Sequence, residues 1–211
     1  MLINIGSTLL CLQQYDRARD TFLSVLDSGT NAVRILARCH HGLGVAYRDL
    51  GDPITAQSHT TKSVELYEGV DQRKWIESKH NLAILWADQG YVPQAKDIFE
   101  SCIQYYAKHN LFTLLASGWE ELASIAMNLQ QWDEALECIE KDTTAIYSQP
   151  DVEIMIRLLR IKDQVYRCQR PTDCKESPGK MADFMERAQA IHDVSSFDLK
   201  RFDESLRQPM M

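Results

Sequence analysis

Six histidines and six cysteines are the residues of this 211-residue chain with the most chemistry to offer. Clusters of imidazole and thiolate at ligand spacing hold transition metals, so spacing decides whether they can act. His40 and His41 are adjacent, so on a helix they point in different directions. His59, His80, His109 and His192 stand apart, with no His-Glu-x-x-His pattern and no mixed Cys/His cluster. Cys11, Cys39, Cys102, Cys138, Cys168 and Cys174 contain no Cys-x-x-Cys pair. Most fall inside apolar helical patterns, where free cysteine behaves as a small buried hydrophobe. A disulfide scaffold belongs to shorter, loop-rich secreted chains, so the reading is reduced thiols in the cytoplasm, with no metal and no cofactor.

Other reactive arrangements are equally lacking. There is no glycine-rich phosphate loop and no nucleophile elbow. Carboxylates are numerous but mostly sit at helical spacing from Lys or Arg, as Glu153 does from Arg157. Such pairs read as surface ion pairs worth roughly a few tenths of a kcal/mol. The run Arg157, Arg160, Lys162, Arg167, Arg170 and Lys175 is interrupted by Asp163, and reads as a solvated face. A net charge of -7 and the lack of a helix-turn-helix module argue against direct nucleic-acid binding. The expectation is therefore recognition by a surface, not catalysis.

What positions such a surface is legible from pattern. Apolar residues make up 45% of the chain, enough for a sizeable core. The opening MLINIGSTLLCL lacks a basic leader region and a cleavage site, and no stretch is long enough to cross a bilayer, so no membrane partner is expected. Glycine and proline are sparse and punctuate helical stretches, so the chain reads as all-α.

Small residues then reveal a period. Gly6 and Ala18, Gly44 and Ala56, Ala83 and Ala95, and Ala123 and Ala135 are each twelve apart. Ile5, Leu43, Leu82 and Leu122 precede the first of each pair. Phe22, Thr60, Phe99 and Ile139 follow each alanine by four. Self-similarity of this kind marks a helical repeat array. The first small residue lies on one helix and the alanine on the next, where tiny side chains let antiparallel axes approach to about 8–10 Å. The turn at DLGDP supplies Gly51 for a left-handed helix end, Asp52 for a cap and Pro53 for the first turn. The third unit repeats this with Gly90 before Pro93, while QQYDRA and QQWDEA offer Asp16 and Asp133 as caps.

The motifs LGVAY, LAILW with AKDIF, and WEELASIA with ALECI resemble the tetratricopeptide repeat. The alanines step by 38, 39 and 40 residues, longer than the common unit and similar to the sensory domains of Gram-positive peptide-responsive regulators. The resemblance implies a right-handed α-solenoid of about five antiparallel helix pairs. Its single domain would span 1–194, with units at about 1–28, 31–68, 74–108, 112–147 and 151–194, and a capping helix with tail at 195–211. In such a fold the first helix of each pair lines the concave side. By repeat position this implies Asn4 and Ser7, then Arg38, His41, Val45 and Arg48. Glu77, His80, Asn81, Ile84 and Asp88 follow, then Glu120, Glu121, Ser124 and Asn128. Asn81 stands where the family often holds a peptide backbone through an amide, which donates and accepts at once. Asn4 is at the equivalent place, and Gly42 replaces the asparagine between them. The family's clamp for a C-terminal carboxylate is not expected, because Ser117 and Glu121 stand where its basic pair belongs.

The resulting expectation is a cytoplasmic, non-enzymatic module that binds a peptide or protein segment in its groove. The alternative is a scaffold or homo-oligomer that uses its apolar terminal helices. The first helix is very apolar and lacks a polar cap, so it calls for contact with another chain or a preceding domain.

Overall fold

A computed structural model describes residues 2–146 and Val165, and the described segments are helical. In chain order they are α1 (Leu2–Cys11), α2 (Tyr15–Asp27), α3 (Val33–Asp49), α4 (Pro53–Tyr67), α5 (Gln72–Asp88), α6 (Val92–Lys108), α7 (Phe112–Asn128) and α8 (Trp132–Ile146). The chain divides into two compact units, residues 1–105 and 106–211. The expected fifth helix pair, the basic run from Arg157 to Lys175 and the capping helix lie outside the described residues.

In the first unit, α1 packs on α2, α2 on α3, α3 on α4 and α4 on α5. The first helices also touch one another, α1 against α3 and α3 against α5. Short connections force each neighbour antiparallel, and one hairpin cannot cover its own apolar face, so the next hairpin completes it. Ala18, Ala56 and Ala95 are fully buried, as the twelve-residue spacing implies. At Gly6 and Gly44 the nearest neighbour lies one turn beyond the alanine twelve residues on. A Cβ at Gly6 would stand 2.7 Å from the Phe22 ring, and one at Gly44 would stand 2.2 Å from Thr60 Oγ1. Phe22 also fills the place a Cβ would take at Gly42, at 2.4 Å. Its ring is therefore held between α1 and α3, and the glycines on both sides are what admit it.

The turns share one device. Gly51 and Gly90 adopt φ of 82° and 88° and end α3 and α5 in the left-handed region. Gln13 and Gln130, at the same repeat position, adopt φ of 56° and 60° without the glycine that would make this easy. Asp52 caps α4, its carboxylate accepting from the Thr55 N–H at 3.0 Å, and Pro53 occupies the first turn. Asp16 and Asp133 do not cap. They lie inside the first turns of α2 and α8, and the α2 cap position is Gln14. There the carboxylates oppose the positive helix end, and Asp16 also pairs with Arg19 at 2.9 Å.

In the second unit α7 packs on α8, and Leu122, Ala123, Ala126, Ala135 and Ile139 are buried.

Candidate functional site

The first helices of the first unit, α1, α3 and α5, bring a row of polar side chains together. Arg38 on α3 donates through Nη2 to Asn4 Oδ1 on α1 at 3.0 Å, and both are exposed. One turn on, His41 reaches α5 in two directions. Its Nδ1 lies 3.0 Å from Ser78 Oγ, and its Nε2 lies 3.4 Å from Asn81 Nδ2. With the Asn81 amide donating, Nε2 accepts and the ring proton sits on Nδ1, directed at Ser78. Ser78 Oγ is in turn 2.9 Å from Ser63 Oγ of α4, and both serines are buried.

Burial holds His41 neutral, taking it down to about 4; Glu77 opposes that shift and Lys74 adds to it. A neutral imidazole is the form this chain of bonds requires, because an imidazolium could not accept from Asn81. The Asn81 carbonyl and its second N–H are not consumed by His41, which leaves the amide able to serve a ligand. Asp71 fixes the start of α5 by accepting from the Lys74 N–H at 3.1 Å. Glu77, half-buried, pairs with Arg73 at 2.9 Å and with Lys74, so α5 carries a compact charged cluster one turn before Asn81. Burial pushes the Tyr67 phenol up to about 12, so it stays protonated at neutral pH, with the Arg38 guanidinium acting against the shift.

The remaining expected residues fall differently. His80 is buried and meets Phe99 edge-on, ring centroids 5.1 Å apart, so it faces the interior of the α5–α6 hairpin. It precedes Asn81 by one residue, about 100° round the helix, which is enough to turn it inward. Burial, reinforced by Arg48, lowers it to about 4. Arg48 pairs with its neighbour Asp49 at 3.1 Å, and Asp88 is exposed at the end of α5. Ser7 bonds back to the Ile3 carbonyl at 3.1 Å, and Val45 and Ile84 are half-buried. In the second unit Glu120 is buried, Glu121 and Ser124 are half-buried, and Asn128 is exposed at the end of α7.

Sequence reasoning did not find Ser63 and Ser78. The signal was there: Ser78 occupies the repeat position of Cys39, so a hydroxyl replaces a buried apolar group and must find a partner. A second pair also went unforeseen. His40 Nδ1 and His59 Nδ1 lie 2.9 Å apart across α3 and α4, and His59 stacks on Tyr47 with centroids 5.5 Å apart. One ring must donate and the other accept. Burial lowers both rings, and His59 and Lys62 add to the lowering of His40. Among the described residues no group of three or more His, Cys, Asp or Glu is placed to hold a metal ion, and no helix is long and apolar enough to cross a membrane.

Residues 37–59 match the tetratricopeptide repeat family. The fold is similar to two crystal structures of Podosopora anserina kinesin light chain TPR-like repeats. Each is 16% identical, with TM-scores of 0.61 and 0.62; the first covers 90% of this chain and 92% of that one, the second 92% and 96%. It is also similar to Bacillus thuringiensis PlcR, crystallised with the peptide PapR7 and DNA. That likeness has a TM-score of 0.72 at 14% identity, covering 99% of this chain and 73% of that chain. The protein thus carries a tetratricopeptide repeat at residues 37–59 and folds as an all-α helical repeat of the tetratricopeptide type.

Proposed function

We propose that this chain is a non-enzymatic regulatory or sensory module of the cytoplasm that binds a peptide segment of a partner along the face of α1, α3 and α5. The observation that carries this reading is the row formed by Asn4, Arg38, His41 and Asn81, tied laterally by the Arg38–Asn4 and His41–Asn81 bonds. Two amides spaced along one face can each meet a peptide group, donating to its carbonyl and accepting from its N–H. Preorganisation supports the reading: Asn81 is oriented by a histidine that is itself fixed by Ser78, so little side-chain freedom is lost on binding. The likeness to PlcR, a protein crystallised with a peptide, agrees with it. Glu77 and Arg48 flank the row. Asp88 would extend contacts to a longer segment.

The test is selection from a displayed library of random linear peptides, followed by calorimetry of the enriched sequences. Asn81→Ala is expected to weaken binding about tenfold, the worth of one well-made hydrogen bond, while the far-ultraviolet spectrum stays unchanged. Failure to enrich any peptide, or an affinity as high as the parent chain's in both Asn81→Ala and Arg38→Ala, would refute the reading.

The second reading, a scaffold or homo-oligomer, draws on a different surface. Leu2, Ile5 and Leu12 of the first hairpin are exposed apolar residues.

A further inference from the structure

The α3–α4 hairpin carries two imidazoles at places where the other hairpins carry none. His40 stands at the repeat position of Leu2, Lys79 and Trp119, and His59 at that of Thr21, Ile98 and Cys138. Packing of the repeat therefore does not require a histidine at either place. The two are 19 residues apart in the chain, yet their Nδ1 atoms lie 2.9 Å apart. Both residues are half-buried, so the pair can be reached from water.

Two bare lone pairs repel at this distance, so a cation has to lie between the rings. It is either the proton of one imidazole or a metal ion that accepts from both. With metal–nitrogen bonds of about 2.0–2.1 Å, two ligands lie about 2.9 Å apart at a right angle and about 3.3 Å apart at the tetrahedral angle. The observed spacing matches the right angle, which adjacent ligands subtend in a tetragonal site. The fold holds the rings in place. Gly44, one turn after His40, comes so close to Thr60, next to His59, that a Cβ there would stand 2.2 Å from Thr60 Oγ1. Tyr47 stacks on His59 with planes 3° apart. Ligands fixed on two packed helices lose little freedom on binding.

We infer that His40 and His59 are the two protein ligands of an open site for a divalent late transition ion, nickel(II) or copper(II), which clips α3 to α4. Imidazole suits both ions, and water completes the shell, because two side chains do not close it. Burial lowers both rings, so at pH 7.5 both are neutral, the form that coordinates. Lys62 opposes a cation here, but it is exposed and paired with Glu65 at 2.9 Å, which weakens its repulsion. Cys39 adds no thiolate, since it is buried in the apolar cluster with Phe22 and Leu43. The site shares no side chain with the row of Asn4, Arg38, His41 and Asn81.

Calorimetric titration of the full chain with nickel(II) chloride at neutral pH tests this. The expected result is one ion bound, with a melting temperature that rises with free nickel and returns on adding EDTA, because the ion binds the folded hairpin and not the unfolded chain. His40→Gln and His59→Gln are each expected to bind at least about tenfold more weakly, with an unchanged far-ultraviolet spectrum. Cys11→Ser, which removes an exposed thiol that could compete for the metal, is expected to bind like the parent. A parent chain that binds no nickel or melts at the same temperature with it, parental affinity in both histidine variants, or loss of binding in Cys11→Ser would each overturn the inference.

Discussion

Lowering the pH from 7.5 to 5 should destabilise the first unit steeply. His41 and His80 both sit near 4 in the fold because burial disfavours their charged forms. In the unfolded chain they titrate near 6.5. Between those values the unfolded state binds more protons, so stability is complete above about 6.5 and drains away as the pH falls towards 4. Each group loses about 1.4 kcal/mol per pH unit in that window, or about 2 kcal/mol by pH 5. His41 as a residue is only half-buried, so its share is discounted for screening, and together the two cost about 3 kcal/mol. His40 and His59 act in the same direction, because a doubly protonated pair cannot keep its 2.9 Å hydrogen bond. Against a total of about 5–15 kcal/mol this is a large fraction. Urea denaturation followed by circular dichroism at several pH values between 7.5 and 5 measures it. His80→Leu should remove about half of the slope, and adding His41→Gln should flatten most of the rest. A parent chain equally stable at pH 7.5 and 5, or a double variant with the full slope, would refute the reasoning.

Three further outcomes follow from the turns and the hairpin contacts. Gln13→Gly and Gln130→Gly should each raise stability by about 0.5–1 kcal/mol in chemical denaturation, since both backbones are already left-handed; a loss would show that the glutamine side chains contribute more than the strain costs. Gly44→Ala should cost about 1–3 kcal/mol because its Cβ meets Thr60 Oγ1, and Thr60→Ala in the same chain should recover most of it; independent, additive losses would contradict the contact. Asp52→Ala should cost about 1 kcal/mol through loss of the α4 cap, whereas Asp16→Ala should cost only a few tenths, and equal melting shifts in the two would count against the distinction.

The spacing of small residues, the turn glycines and the proline after Gly51 were enough to define successive helical hairpins, because those constraints are local. A tiny side chain every twelve residues fixes where two helices can approach, and a left-handed residue fixes where one must end. Local pattern did less well where several elements meet. It paired Gly44 with Ala56, whereas the tightest neighbour is Thr60, one turn on. The helix crossing point depends on side-chain volumes from both helices, and Phe22 shows this most clearly, since it needs Gly6 and Gly42 at once. It also set His80 beside Asn81 on one face, although a single residue step turns the imidazole into the hairpin.

Taken alone, the sequence determined that the chain is a helical repeat, where each described hairpin turns, and that α1 is apolar without charge. These follow from periodicity and from backbone preferences that need no neighbour. Only the tertiary structure decided that His41 is tied to Ser78 and Asn81, and that His40 meets His59. Each of those facts depends on which helix lies beside which, and at what rotation, and that is settled by packing between elements far apart in the chain.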